Sequence, residues 1–374
     1  MKQKDEAWIS QQATEALALY KHFVDFKVKN TVSYQYPFDQ AWEEAIKEMI
    51  HHLHFKHFSP KTERAYVSWI RRFHLANRET APQKISTLHL RKFFFHLAHE
   101  KKIAISTQQM AFHALLFFFR YILGRGEVVD NLSGDIRAQP TKRWPTVLSR
   151  DEVKSILSEL NDPYRLVCRL IYGGGMRTQE CLRLRVGDID FNRNIITIRD
   201  EKGVNNRETI LPAGITVDLK EHLTKVLSLF QVDLSAGHDG VVLPLTLEKK
   251  YPKASREWVW QWIFPASTVS IDPKNHQVRR HHLSDKTLQQ LFNASALKLG
   301  IEKRATIYSL RRSFAIHLLE NGYGIRTIQE MLGHANLQTT MVYINVDDCT
   351  AIKESRGSIK RAPSGVGQTY INNV

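Results

Sequence analysis

The sequence predicts a mostly α-helical chain in two domains, with a small antiparallel β-sheet in the second. Three observations carry that expectation. Apolar residues recur at helical spacing through the first third and again after residue 284. Two short β-type runs, "IITIRD" and "RETILPAG", flank "EKGVNN", which is a hairpin signature. Between the helical first third and the rest, Gly124 to Pro145 gather Gly, Pro, Asp and Asn with little periodicity and read as a linker. A chain of 374 residues is long enough for two real hydrophobic cores.

Residues before about Val32 form an amphipathic-looking extra segment of unassigned purpose. A first helix is expected from about Asp39 to Leu53, with Trp42, Ile46 and Ile50 on one face. A second opens at Ser59-Pro60, a helix start signal, and carries Tyr66, Val67, Ile70 and Phe73 at helical spacing. Its other positions hold Lys61, Arg64, Arg71 and Arg72. A third lies near Ser86 to His99, and a fourth runs from Ser106 through Met110, Leu115, Phe118 and Ile122 until Gly124 and Gly126 break it. The second domain begins near Val147, where "LSRDEVKSIL" gives a capped helix start at Ser149. After the hairpin, helices return at Ser284 to Leu299, closed by Gly300, and at Ser309 to Glu320, closed by Asn321-Gly322. The tail is polar and basic and is expected to be extended; its segment Ala351 to Ile359 is a weak candidate for packing on a neighbouring copy.

The 53 Lys and Arg against 38 Asp and Glu leave a net charge of +15. That excess suits a polyanionic partner, most often nucleic acid; a merely basic, soluble enzyme is the other reading. Cys168, Cys181 and Cys349 are too few and scattered for a disulfide framework or a zinc site, so a reducing compartment fits. "MKQKDEAWIS" lacks the apolar core of a signal peptide, and the longest apolar stretch, "ALLFFFRYIL", is short and contains Arg120. A cytoplasmic protein without membrane contact is expected. The histidine runs "HHLHFKHF" and "RRHH" have neither Cys partners nor a second carboxylate shell, so no metal and no cofactor is expected.

Several polar residues sit at suggestive places. "GGGMRTQE" puts Arg177 and Glu180 three apart just after a glycine turn; Lys202 is at the hairpin tip; Arg311 lies in "IYSLRRSF"; His334 lies in "EMLGHANLQTT"; Tyr343 follows nine residues later. Singly, each has an ordinary reading: a surface ion pair, a hairpin lysine, a core aromatic. Together, in this order and with these flanks, they resemble the tyrosine recombinase (phage integrase) family, over roughly Ala41 to Val346. The resemblance implies a helical core-binding, SAM-like domain over residues 37–125, a linker over 126–146 and a catalytic domain over 147–348. An extension (1–36) and a tail (349–374) lie outside these. It implies Arg177 and Arg311 as phosphate-clamping arginines with Glu180 beside them, Lys202 as general acid, His334 as a second-half histidine and Tyr343 as nucleophile. Two linked domains suit a clamp around DNA.

The chemistry explains those residue types. Transesterification of a DNA phosphodiester adds negative charge at a five-coordinate phosphorus, which fork-shaped guanidiniums can hold. Losing one such donor costs about 3 kcal/mol of barrier. A tyrosine hydroxyl, with a free pKa of about 10, needs nearby cations to favour its phenolate. The leaving 5′-hydroxyl needs a proton, which a hairpin lysine can supply. The phosphotyrosine link keeps the bond energy, as in type IB topoisomerases. One departure stands out: where the family's second arginine box usually reads His-x-x-Arg, this chain has Tyr308 three residues before Arg311. Tyrosine can donate a hydrogen bond but is a poor proton acceptor at pH 7. Slowed chemistry and a DNA-binding relic that no longer cuts are both open.

Between the hairpin and Arg311 the chain is longer than minimal members of the family require. "YPKASREWVWQWIFPAS" and "HQVRRHHLSDKTLQQL" resemble the insertion, here about residues 245–283, that marks integron integrases. That implies recombination of gene-cassette sites folded from one DNA strand (attC) with a double-stranded platform site (attI), by a homo-tetramer on DNA that is monomeric when free. A Xer- or phage-type enzyme on duplex sites is the alternative. Extruded bases need flat surfaces to stack on, and Trp258, Trp260, Pro265, His276 and His282 are candidates; Lys253, Arg279 and Arg280 could hold phosphates. The alternation of Trp258, Trp260 and Trp262 also reads as a strand with one face in the core.

Overall fold

The computed structural model describes residues 36–130, 132, 146–199, 206–243, 245–251, 253–272 and 276–344. The chain divides into two compact units, Met1–Lys142 and Arg143–Val374. The extension before Tyr36, Lys202 and the tail with Ala351 to Ile359 lie outside the described residues.

The first unit is built from α1 (Asp39–Phe55), α2 (Pro60–Ala76), α3 (Thr87–Phe95), α4 (Ile105–Phe117) and a short α5 (Glu127–Asp130). Ser59 caps α2 by accepting from the Thr62 amide at 3.1 Å, with Pro60 in the first turn where its missing N–H costs nothing. α3 and α4 both run on into a π-helical turn, His96–Glu100 and Phe118–Ile122. The core gathers on Trp42, which is fully buried and stacks on Phe118 at 5.7 Å, while its indole N–H donates to the Thr80 carbonyl at 3.0 Å. Val128 and Val129 of α5 also lie in this core. The expected linker therefore opens with a turn that belongs to the first unit, because two valines there bury more favourably than they would trail in water.

The second unit opens with α6 (Arg150–Glu159), capped reciprocally by Ser149 and Glu152, followed by α7 (Tyr164–Gly174) and α8 (Thr178–Leu182). Strands β1 (Ile189–Asp190), β2 (Ile195–Ile198) and β3 (Arg207–Ile210) form an antiparallel sheet in sequence order, with Ile198 opposite Arg207. α9 (Thr216–Ser235), α10 (Leu245–Lys250) and the two-residue pair β4 (Ser270–Ile271) and β5 (Val278–Arg279) follow. The unit closes with α11 (Asp285–Lys298), α12 (Ile307–Glu320), α13 (Ile325–Leu332) and α14 (Leu337–Ile344). Its core joins α7 to α12 through Leu170, Ile171, Leu310 and Phe314. A buried Tyr172–His317 hydrogen bond of 2.8 Å pairs polar groups of the same two helices. Among the described residues, no helix is long and apolar enough to cross a membrane.

The strand expected through the tryptophan run is not there. Ala254–Arg256 and Trp258–Trp260 are 3-10 turns, closed by Trp260 N–H to the Glu257 carbonyl and Gln261 N–H to the Trp258 carbonyl. Only afterwards does the backbone extend, with Trp262 bridging Arg185 and Pro265 bridging His282. The tight turn sends Trp258 to Phe230 while Trp260 and Trp262 share Arg185, which simple alternation does not distinguish from a pleated strand.

Candidate active site

The Arg177–Glu180 segment begins where α7 stops. Gly175 caps α7 in the left-handed region, φ +60°, and a Cβ there would meet Phe314 at 2.4 Å, so glycine is required by both backbone and packing. That turn places Arg177 at the N-cap of α8, where its amide donates to Glu180 Oε2 at 2.7 Å and its guanidinium to Oε1 at 2.6 Å. Glu180 takes two further guanidiniums on Oε2: Arg207 of β3 at 2.6 Å and Arg311 of α12 at 3.5 Å. Three arginines thus surround one carboxylate and leave two positive charges unmatched. Burial pushes the Glu180 carboxyl up, but Arg207 and Arg177 outweigh it and hold its pKa below the ordinary range.

Arg311 is fully buried, and carbonyls hold its guanidinium: Nη1 donates to Gly175 at 2.8 Å and Nη2 to Leu332 at 2.6 Å. Nη2 also lies 3.1 Å from His334 Nε2. An arginine can only donate, so Nε2 is the acceptor, and the ring proton sits on Nδ1, facing Thr340 Oγ1 at 3.0 Å. His334 is thereby a neutral imidazole of fixed tautomer. Burial and then Arg311, Arg177 and Arg207 press its pKa down to about 4. Gly333, which precedes it, is the left-handed cap of α13.

Tyr343 of α14 closes the cluster. Its ring stands edge-on to His334 (centroids 4.7 Å apart) and to Tyr308 (5.4 Å), while Arg312 holds its carbonyl at 2.8 Å. Its hydroxyl interacts with both Tyr308 and Arg311. Burial and the neighbouring Tyr343 raise the Tyr308 pKa, so Tyr308 stays a neutral donor. The cluster borders an open cleft of about 660 Å³, lined by Arg177, Arg183, Arg199, Arg207 and His334. Such a cleft, rich in guanidiniums and with an aromatic hydroxyl at its edge, can hold a phosphate and attack it.

Of the expected catalytic residues, the structure thus brings Arg177, Glu180, Tyr308, Arg311, His334 and Tyr343 together. Arg207, Arg199 and Thr340 escaped sequence reasoning. Arg207 is the one with a readable signal, since it opens the strand on the far side of the hairpin, opposite an inward-alternating Ile198.

The insertion reads differently from expectation. Arg280 is buried and forks onto both oxygens of Asp233, at 2.6 and 2.7 Å, with further bonds to the Ala266 and Ser267 carbonyls. Arg279 is buried against Glu248 at 2.8 Å. Both are corrected from phosphate contacts to braces, because their charges are already matched by carboxylates far away in sequence. Trp258 rests on Phe230. Trp260 is half-buried beneath Arg199 and near Arg185, and Trp262 is buried with Arg185 3.8 Å over its ring. Arg199 in turn pairs with Asp188. Pro265 and His282 are half-buried partners, with the His282 ring edge-on to Trp262; Lys253 and His276 are exposed. In the first unit, Lys61, Arg64, Arg71 and Arg72 are exposed on α2, with Arg72 stacked over Trp69.

Comparison with known proteins agrees with this geometry. Residues 146–349 match the model of the phage integrase family, and residues 46–126 match the phage integrase N-terminal SAM-like domain. An "integrase/recombinase" of Escherichia coli and one of Pseudomonas aeruginosa are each 40% identical over 303 residues, covering 81% of this chain and 88% of theirs. The tyrosine recombinase XerA of Thermococcus onnurineus is 29% identical, covering 82% of this chain and 92% of its own. Among solved structures, a lambda integrase dimer bound to a core site aligns over 86% of this chain and 98% of its own, with TM-score 0.54 at 16% identity.

Proposed function

The chain belongs to the phage integrase family, the tyrosine recombinases, and on that premise we propose that it is a site-specific recombinase of the integron type. In this reading it cuts and rejoins DNA at folded single-stranded cassette sites and a double-stranded platform site. The observation that carries the catalytic part is the convergence of Arg177, Arg311, His334 and Tyr343 on one cleft around Glu180.

The steps follow from the residues. The Tyr343 hydroxyl attacks phosphorus, forming a 3′-phosphotyrosine bond as the bond to the 5′-oxygen breaks. Arg177, with its side chain 47% exposed, can swing a guanidinium onto a non-bridging oxygen, while the buried Arg311 supplies a second positive charge. Tyr308 donates toward the Tyr343 oxygen and steadies the developing phenolate, but cannot receive its proton. The neutral Nε2 of His334 can, once a phosphate draws Arg311 toward itself. Lys202 protonates the departing 5′-oxygen. The two unmatched charges around Glu180 suit the doubly negative transition state. This supports slowed but intact chemistry despite the Tyr308 departure.

The insertion supports the folded-strand assignment: Trp260 is a half-buried ring that carries Arg199, a residue lining the cleft. Exposed Lys253 and His276, and the half-buried Pro265–His282 pair, are the proposed contacts to extruded bases and their phosphates; Lys61, Arg64, Arg71 and Arg72 are proposed for duplex phosphates. Recombination joins two sites, so four protomers are proposed on DNA from a monomer in solution, in the cytoplasm. The XerA likeness favours one second reading, a duplex-site recombinase. The test is covalent trapping on a folded cassette strand beside its perfect duplex. A preference for the folded strand supports the integron reading, and equal trapping on both supports the duplex one.

A further inference from the structure

We infer that Arg207 is a positioning residue of the phosphate site, holding Glu180 so that this one carboxylate keeps Arg177 and Arg311 directed at the same cleft. The inference rests on the recombinase reading above and deepens it.

Of the three guanidiniums, Arg207 is the one that meets Glu180 both at short range and under cover. It donates to Oε2 at 2.6 Å with both side chains mostly covered, 17% and 16% exposed. Arg177 reaches the same carboxylate from a side chain 47% exposed. The covered partner is the anchor and the exposed partner is free to turn to a ligand. The other arm of Arg207 donates to the Met331 carbonyl at 3.2 Å, one turn before His334. Gly333 makes this possible: at φ +63° it has no side chain where a Cβ would come within 2.3 Å of the Arg207 Cδ and Nε. One side chain from β3 therefore fixes the α8 cap, which carries Arg177 and Glu180, against the turn that carries His334.

The geometry also says what Arg207 prevents. Glu180 Oε2 stands 3.5 Å from Arg311, a loose approach, and 2.6 Å from Arg207. Remove Arg207, and beside the Arg177 amide at 2.7 Å the guanidinium left facing Oε2 is Arg311, whose charge the carboxylate would then share in place of the phosphate. A carboxylate relieved of its nearest cation also protonates more readily.

The test uses the full chain in single-turnover cleavage of a folded cassette strand across pH 5 to 9, comparing wild type with Arg207→Lys, Arg207→Met, Glu180→Gln and the double variant R207M/E180Q. We expect Arg207→Met to slow cleavage about 30-fold, and Arg207→Lys to recover part of that loss. Glu180 and His334 both titrate below pH 5 in the wild type, so its profile should be flat on the acid side; Arg207→Met releases Glu180 toward its ordinary range, so its rate should begin to fall near the acid end, and Glu180→Gln should remove that fall. In the Glu180→Gln background, Arg207→Met should cost less than about 3-fold. Thermal melts and duplex binding identify variants that fail to fold, for which Arg207→Lys remains the readable one. Equal costs of Arg207→Met in both backgrounds, or an Arg207→Met profile as flat as that of the wild type, would overturn the role of Arg207 alone. Absence of any adduct from the wild-type chain would overturn the recombinase reading itself.

Discussion

Two clusters of arginine stand in the second unit, and their difference separates a site from a scaffold. In the cleft, Arg177, Arg207 and Arg311 share one carboxylate, and the exposed member faces solvent. In the insertion, Arg279 and Arg280 each have a carboxylate of their own and no exposed face. A fork fully matched by Asp or Glu stiffens the fold; a cluster with surplus charge waits for an anion. Local sequence does not tell the two apart, since "RR" in "HQVRRHH" looks more like a DNA contact than does a lone arginine opening "RETIL".

The comparison can be broken in either direction. Arg177→Lys keeps the charge but loses the fork, so cleavage should fall about 100-fold while the melting temperature stays put. A melt shift as large as that of a core variant would return Arg177 to the scaffold group. Arg280→Met should do the reverse. It leaves Asp233 only His238 at 3.3 Å, costs about 3 kcal/mol of stability by denaturant titration, and leaves the salt dependence of duplex binding unchanged. A slope reduced by about one would restore Arg280 as a phosphate contact. Trp260→Ala tests whether the insertion bears on DNA at all: folded-strand binding should weaken about 10-fold and duplex binding little, and equal weakening would make Trp260 a brace like Trp262.

The smallest effect concerns His334. Its folded pKa of about 4 lies below the ordinary 6.5, so between those values the unfolded chain takes up a proton the folded one refuses. Stability should therefore decline as pH falls from about 6.5 to about 4, and level off below for this group. His334→Gln should flatten that part of the pH dependence of the melting temperature; an unchanged slope would mean the ring is charged when folded.

Much of this was legible. Helix ends were readable because their caps are local: Ser59-Pro60, Ser149 with Glu152, and Gly300 all act within a turn. Arg177, Arg311, His334 and Tyr343 were readable because their motifs are local: a helix cap, the buried face of α12, the turn after α13 and the short α14. What failed was anything decided by distant partners. Arg280 depends on Asp233 of α9, and Arg279 on Glu248 of α10. The W-x-W-x-W alternation suggested a strand, yet Arg185 and Arg199 draw two of those rings together from a separate part of the chain. Arg207 was missed because a polar residue on a half-exposed strand looks ordinary until Gly333 is seen making room for it.

The central claim, that the surplus-charge cleft activates Tyr343, is tested most directly by trapping the full chain on a nicked suicide strand and identifying the DNA-linked peptide by mass spectrometry. The expected result is a single adduct on Tyr343, lost in Tyr343→Phe. An adduct on Tyr308, or none from a folded, DNA-bound chain, would contradict it.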